Sequence, residues 1–319
     1  MTPLRVGTRG SQLALWQART VAARLVEAGG PPCELVVIRT SGDRLAEASL
    51  SEVGGKRLFV KEIEDALLRG EVDLAVHSAK DLPAELPRDL AVVAALPRED
   101  PRDAVVLPAG SAAPTGVGDL PARLDGRRLG TSSVRRVTQL AHVLPGARFE
   151  AIRGNLDTRL RKLDEGQADA LVLASAGLNR LGFAHRLSMA LPVEICVPAP
   201  GQGIVAIEIR EADDRVRAVV ARIDDAPSRT ALEAERALVE SLGGGCQLPL
   251  GAVAQRVGDA PDLIELQAVV MSLDGRRAAR ARERGRADDA RTLGRRAAAA
   301  LLQAGAGPIL AEARGAGSR

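Results

Sequence analysis

Gly70-Glu71-Val72-Asp73-Leu74-Ala75-Val76 and Gly166-Gln167-Ala168-Asp169-Ala170-Leu171-Val172 read as two copies of one segment. Each follows a helical pattern and opens a run of small and branched apolar residues, as a strand buried on both faces requires. Upstream of each copy lies a second matching pair. Gly7-Thr8 ends the apolar run Leu4–Thr8 and opens a helical pattern over Ser11–Ala28; Gly130-Thr131 ends Arg127–Gly130 and opens one over Ser132–Leu144. Around these anchors the spacing predicts strands at Glu34–Thr40, Val72–His77, Asp103–Leu107, Arg148–Ile152 and Ala168–Ala174. It predicts helices at Phe59–Arg69 and Asn155–Glu165. Alternating strands and helices imply βα units about a largely parallel sheet, here repeated as two similar α/β lobes. The first copy is the longer, and its excess is assigned to Thr40–Arg57, a polar stretch without a period, read as a long loop.

Two linker-like segments punctuate the series: Pro97–Pro101, with charged residues between its prolines, and the proline- and glycine-rich Val197–Gly203. The strand Ile204–Ile209 follows the second. If it returns to the first lobe, two linkers cross between the lobes and form a hinge of the kind found in ligand-closing proteins. From Ser228 the pattern changes to an amphipathic helix, Ser228–Leu242, with Thr230 and Glu233 spaced as a capping box. Alternating strands at Ile264–Met271 and Arg276–Arg284 and a helix over Ala287–Ala304 follow. The expected organisation is a first lobe of residues 1–99 and 203–223, a second lobe of 100–202, and a C-terminal α+β domain of 224–319.

Composition narrows the function. The 319 residues hold 44 Lys and Arg against 41 Asp and Glu, with one Trp, three Phe and no Tyr. The near balance of charge and the scarcity of rings argue against a nucleic-acid-binding platform. No apolar run approaches the ~20 residues of a membrane span. The N-terminal residues carry no signal-peptide pattern, and Cys33, Cys196 and Cys246 are an odd set without metal spacing. These features predict a cytoplasmic protein in a reducing compartment, with no bound metal.

The turns that open helices offer backbone N–H groups and hydroxyls to anions. Arg9 and Ser11 flank one; Ser132, Ser133, Arg135 and Arg136 lie at a second; Arg153, Asn155 and Arg159 mark a third. Each alone reads as capping beside a solvated face. Repeated on two lobes about one cleft, they suit a ligand with several carboxylates, which arginine grips bidentately. No nucleotide-binding glycine pattern occurs at these turns. His77-Ser78-Ala79-Lys80-Asp81 ends a buried strand, where ligands of open α/β sheets gather. His77 reads as structural and Asp81 as the functional carboxylate. Gly243-Gly244-Gly245-Cys246 is a bare loop suited to an attachment cysteine, whereas Cys33 and Cys196 read as inert.

The stretches GTRGSQLALWQA, VGGKRLFVKEIEDALL, DLAVHSAKDLP, REDPRDA, GTSSVRR, RGNLDTRL, LASAGLNRLG, PGQG and GGGCQLPLG occur in this order. Together they resemble the hydroxymethylbilane synthase, or porphobilinogen deaminase, family of tetrapyrrole biosynthesis. The resemblance runs from Arg5 to about Ala311. It implies two lobes like those of periplasmic binding proteins plus a third domain. It also implies a transferase of porphyrin and haem biosynthesis that condenses four porphobilinogen molecules onto a covalent dipyrromethane, releases ammonia at each step, and hydrolyses the product to hydroxymethylbilane. It implies Cys246 as the covalent anchor and Asp81 as the catalytic carboxylate. Lys80, Ser132, Ser133, Arg135, Arg136 and Gly203 are implied around the cofactor, and Arg9, Ser11, Lys56, Phe59, Arg153, Arg159, Arg180 and Gln202 around the substrate. A monomer that passes its product to a uroporphyrinogen-III-forming enzyme is expected. The alternative is a non-enzymatic two-lobed binding protein for polycarboxylates.

Overall fold

The computed structural model describes residues 2–41, 60–244 and 248–316. The loop expected over Thr40–Arg57 therefore lies almost wholly outside the described residues. Three sheets organise the chain. The first has the order β2-β1-β3-β10-β4, from β1 (Leu4–Thr8), β2 (Cys33–Val37), β3 (Leu74–Ser78), β4 (Leu90–Ala95) and β10 (Val205–Arg210). The second has the order β7-β6-β8-β5-β9, from β5 (Asp103–Val106), β6 (Arg128–Gly130), β7 (Arg148–Glu150), β8 (Ala170–Ala174) and β9 (Met189–Ala190). The third is the antiparallel set β11 (Leu250–Val257), β12 (Ala260–Met271) and β13 (Ala278–Arg286).

The repeat holds to the residue. Gly7 pairs with Ala75 on β3, and Gly130 pairs with Leu171 on β8, so the two glycine strands and the two Gly-x-x-Asp strands stand in equivalent register. Even the edge contact recurs: Asp73 accepts from the Arg5 backbone N–H at 2.8 Å and from its guanidinium, and Asp169 does the same with Arg128 at 2.8 Å. Each lobe has one strand that runs against its neighbours, β10 in the first and β5 in the second. Both are the strands that the linkers feed. The chain leaves β4 for β5 and returns from β9 to β10, so each lobe borrows its antiparallel strand from across the hinge. The linkers run on from the β4–β10 pair: Leu96 N–H, just past β4, donates to Val205 O of β10, and Glu99 N–H of the first linker to Gly203 O of the second, both at 3.0 Å. This is the two-lobed build expected, with the third sheet as a small α+β unit beside it.

The glycines of Pro200-Gly201-Gln202-Gly203 have a steric reason. Both Gly201 and Gly203 have positive φ, +75° and +87°, where L side chains are strained. A Cβ at Gly203 would lie 2.3 Å from Glu99 O, and one at Gly201 would lie 2.9 Å from the Lys80 N. The hinge thus passes directly against the Lys80 turn.

Several elements depart from expectation. β4 and the last helix, Ala306–Ala316, were not read in the sequence. The helix expected at Ser228 starts earlier, at Ala226, and its cap is Asp225, which accepts from Ser228 N–H at 3.0 Å. The Thr230–Glu233 capping box is not formed; Glu233 instead pairs with Arg229 at 2.9 Å. The Pro at the first turn explains the shift, because proline fits there without losing a hydrogen bond. Separate apolar clusters lie under the three sheets, built from Leu, Val, Ile and Ala as the composition requires.

Candidate functional site

Parallel strands bring their carboxyl ends to one edge of each sheet, so β1, β3, β6, β7 and β8 decide what faces the cleft. β3 ends at Ser78 and passes into a 3-10 turn, Ala79–Asp81. Lys80 and Asp81 are half-buried there, and neither makes a side-chain hydrogen bond or ion pair among the described residues. Burial pushes the Lys80 ammonium down to about 8, a shift only partly offset by the Asp81 charge; Arg135, Arg136 and Asp103 also act on it. These five charges therefore share one locality. His77, one strand position earlier, points into the core, with its Nε2 at 3.0 Å from Glu208 Oε2. That matches its structural reading.

On the second lobe, Ser133 caps the helix Val134–Val143 by accepting from Arg136 N–H at 3.5 Å. Ser132 is exposed and donates to Ile152 O at 3.2 Å. Arg135 and Arg136, 5% and 7% exposed, both turn onto Asp103. Arg135 Nη1 donates to Asp103 Oδ2 at 2.6 Å and to Val197 O at 2.8 Å; Arg136 Nη2 donates to Asp103 Oδ1 at 2.7 Å. Gln202 Nε2 adds a bond at 2.9 Å, and the Cys196 thiol one at 3.3 Å. The two guanidinium groups hold Asp103 far below the usual carboxylate range against the opposing effect of its burial. Burial and Asp103 push the Cys196 thiol up to about 12, which leaves it unreactive, in agreement with its reading as inert. Gln202 Oε1 is buried without a partner.

The remaining candidates lie on the same strand ends. Ser11 caps the helix Gln12–Glu27 by accepting from Ala14 N–H at 3.3 Å, with half-buried Arg9 on the turn before it. Arg153 is half-buried before the helix Leu156–Asp164. Arg159 donates to Gly154 O at 2.8 Å, and burial with the nearby Arg136 charge lowers it to about 10, so it remains a cation at neutral pH. Arg180 donates to Gly203 O at 2.7 Å and sits 5.5 Å from the Trp16 ring centroid; burial lowers it to about 10 as well. Lys56, Phe59 and Cys246 lie outside the described residues.

A cavity of about 100 Å³ opens where all three sheets' units meet. Lys80, Ser133, Arg135 and Arg236 are among its lining residues, with Leu82, Ala84, Leu232, Val239, Leu248 and Leu250 as apolar wall; the Arg236 guanidinium is turned onto Pro83 O and Ala84 O. Cations set in apolar walls fit flat rings that carry carboxylates. Gly244 lies against one lining residue, with Ala84 Cβ 3.0 Å from where its own Cβ would be, and Cys246 is two residues further along the chain.

The sequence reading missed Asp103, Glu235, Arg98 and Arg236. Asp103 could have been found: an acidic residue opening the otherwise apolar strand Asp-Ala-Val-Val must be paired if it is buried. Among the described residues, no group of three or more His, Cys, Asp or Glu is arranged to hold a metal, and no helix is long and apolar enough to cross a membrane.

Two α/β lobes joined by crossed linkers, with Lys80, Arg135 and Arg136 near an Asp81 that has no side-chain partner among the described residues, define a two-lobed class of protein with a third α+β unit. Comparison with known families narrows it. Residues 4–218 match the family described as porphobilinogen deaminase, dipyromethane cofactor binding domain, and residues 230–303 match the porphobilinogen deaminase C-terminal domain. The chain belongs to the porphobilinogen deaminase family. It is 48% identical over 311 residues to the porphobilinogen deaminase of Desulforudis audaxviator, covering 97% of each chain. It is 46% identical over 310 residues to that of Geobacter metallireducens, covering 97% of this chain and 94% of the relative. Among solved structures it is similar to the periplasmic VFT2 domain of Bordetella pertussis BvgS, with a TM-score of 0.41, 19% identity, and coverage of 69% of this chain and 86% of that one.

Proposed function

We propose that the chain is the transferase that condenses four porphobilinogen molecules head to tail on a dipyrromethane attached to Cys246, and then hydrolyses the product to hydroxymethylbilane. The observation that carries the reading is the cationic cluster around Lys80, Arg135 and Arg136 with one carboxylate, Asp81, left without a partner beside it. Family membership over both halves of the chain favours the enzyme over a non-enzymatic binding protein.

Bound through Cys246, the dipyrromethane supplies the pyrrole carbon to which the first porphobilinogen adds. Lys80, Ser132, Ser133, Arg135 and Arg136, with the Gly203 backbone, are the residues that would hold it. The donor set fits, because each pyrrole carries two carboxylates and Lys80, Ser133 and Arg135 line the cavity beside apolar residues. Arg9, Ser11, Arg153, Arg159, Arg180, Gln202, Lys56 and Phe59 would line the path of incoming and growing chain. Each addition breaks the C–N bond of the aminomethyl group, releases ammonia, forms one C–C bond and loses one pyrrole proton. Loss of ammonia leaves a cation on the substrate, and Asp81 would stabilise it and hydrogen-bond the pyrrole N–H groups. Because Asp81 is the one carboxylate of the cluster not already neutralised by arginine, its charge is available to that cation. A monomer in the cytoplasm, handing its product to a uroporphyrinogen-III-forming enzyme, completes the reading.

The test is the intact mass of the purified, denatured protein. The expected excess equals two porphobilinogen units less two ammonia molecules, mapped to the Cys246 peptide and absent from Cys246→Ser. An excess mapped to another residue overturns the anchor. Asp81→Asn should keep the mass excess and the circular dichroism spectrum, yet lose about 10²-fold or more in turnover, the usual scale for a proton-transfer or charge-stabilising group. Near-normal turnover removes Asp81 from the mechanism.

A further inference from the structure

The helix Ala226–Ser241 belongs to the third unit, yet Arg236 reaches from it into the first lobe. Its Nη1 donates to Pro83 O at 2.9 Å and its Nη2 to Ala84 O at 2.8 Å. Two successive carbonyls taken by one planar fork is a geometry that arginine makes and lysine, a point donor, does not. These carbonyls lie two and three residues past Asp81, on the segment that leaves the 3-10 turn. Arg236 also lines the cavity between the three units.

The C-terminal end of the same helix, two turns beyond Arg236, touches the same segment. The helix closes with Gly243 N–H donating to Glu240 O at 3.0 Å and Gly244 N–H to Val239 O at 2.9 Å, the paired bonds of a Schellman end. Gly244 has φ +64°, and a Cβ there would stand 3.0 Å from the Ala84 Cβ. Ala84 is thus gripped through its carbonyl by Arg236 and abutted through its side chain by Gly244. Residue 235, next to the arginine, is equally committed: Glu235 accepts from Arg98 at 2.6 Å and from Gly201 N–H at 2.5 Å. The helix is therefore held on both flanks, and it acts as a rigid strut between Arg236 and its glycine end.

We infer that Arg236 is a positioning residue, which sets the distance between the Asp81 turn and the glycine end of the helix Ala226–Ser241. The inference rests on the function proposed above, in which the chain just past Gly244 carries the anchor and Asp81 acts on what the anchor presents. Arg236 touches neither substrate nor reacting atoms in this account. It works by registering two elements that belong to different units, and misplacement on the order of 1 Å between reacting groups costs about 10²-fold in rate.

The experiment compares Arg236→Ala and Arg236→Lys with the wild type as purified holoenzyme, with Arg291→Ala as control. Arg291 is an exposed partner of Glu240 on the same unit. Amide exchange over residues 82–84 and 242–244 is measured on each protein, together with kcat and KM for porphobilinogen. Faster exchange in both segments of both Arg236 variants is expected, with unchanged exchange in the Arg291 control. A fall in kcat of ~10-fold or more, with KM within about threefold, is expected for both, because lysine restores the charge but not the fork. Unchanged exchange in the two segments overturns the clamp irrespective of activity. Full recovery of kcat by lysine, or a loss matched by loss of folded protein in the circular dichroism spectrum, overturns the positioning role. A wild-type protein that releases no ammonia from porphobilinogen would count against the proposed function instead, and the exchange measurement would still decide the clamp.

Discussion

Asp81 and Asp103 are both acidic residues near Lys80, and their surroundings separate them. Asp103 lies at 0% exposure under two guanidinium groups, an amide and a thiol, so its charge is neutralised before any ligand arrives. Asp81 makes no side-chain hydrogen bond or ion pair among the described residues. Lys80 feels both charges and makes no side-chain hydrogen bond among the described residues, and burial holds its ammonium at about 8 instead of 10.5. The sign has two consequences. Below about 8 the ammonium is charged in folded and unfolded chains alike, and the cost of burying it is borne in full. Between about 8 and 10.5 the folded chain sheds the proton before the unfolded chain does, so this group makes the fold more stable as pH rises through that window. Capture of a carboxylate runs the other way. The rate at which apo-protein takes up porphobilinogen to build its cofactor should fall as pH passes about 8. Lys80→Arg should carry the plateau to higher pH, since a guanidinium stays charged there. A pH profile identical in wild type and Lys80→Arg would show that Lys80 does not bind the anion.

At the scale of elements, the helix Ala226–Ser241 does more than cover its own sheet. Glu235, at 0% exposure, accepts from Arg98 of the first linker, Gly201 N–H of the second, and Ala254 N–H of β11 at 2.7 Å. One buried carboxylate thus ties both hinge strands to the third unit. Glu235→Gln removes the charge and leaves Arg98 buried beside a neutral amide. Breaking one side of a buried pair costs about 3–5 kcal/mol, so denaturant unfolding should show a loss of about 3 kcal/mol, with the transition losing cooperativity as the third unit uncouples. An unchanged midpoint would mean that the other contacts hold the hinge alone. This network also marks where the sequence stopped being readable. The repeated Gly-x-x-Asp strands, the crossed linkers and the helix starts are local patterns, and they were legible to within a few residues. β4 was not, although Pro87, Asp89 and Pro97 bound its apolar run Leu-Ala-Val-Val-Ala-Ala; without an alternating period that run does not by itself distinguish a strand from a buried helix segment. The capping box misled because Thr230 and Glu233 have the spacing, while Asp225 and the proline after it have the position. Among the candidate residues, Arg9, Lys80, Asp81, Ser132 and Ser133 stand just past strand ends, as their sequence positions imply. The orienting partners, Asp103 for the arginine pair and Glu235 for the hinge, join residues far apart in sequence, and no local period reports such a pairing.

At the scale of the whole molecule, the question is how one cleft accommodates a chain that grows by four rings. The crossed linkers are hydrogen-bonded to each other at Glu99–Gly203, continuing from the Leu96–Val205 bond just past β4, which disfavours free swinging and leaves twist or bend about a paired ribbon. Away from that ribbon the lobes meet where Arg180, at the end of the helix Ser175–Arg180 on the second, lies over Trp16, on the helix Gln12–Glu27 of the first, at 5.5 Å. A contact of this kind is worth about 0.5–2 kcal/mol, enough to bias the spacing of two bodies without locking it. Arg180 also donates to Gly203 O on the hinge itself, so its position follows both the hinge and the opposite lobe. Trp16 is the single tryptophan of the chain, which makes its emission a report on this one contact. If the lobes rearrange as rings are added, the emission of holoenzyme should change stepwise on addition of one, two, three and four equivalents of porphobilinogen. In Arg180→Met the emission should start shifted and lose most of the stepwise change, while Trp16→Phe, which keeps a ring for the cation, should retain more turnover than Trp16→Ala. Emission that stays constant through all four additions would exclude motion at this contact. Growth would then have to be accommodated within a fixed cleft, with the chain folding back on itself along the arginines and not by separation of the lobes.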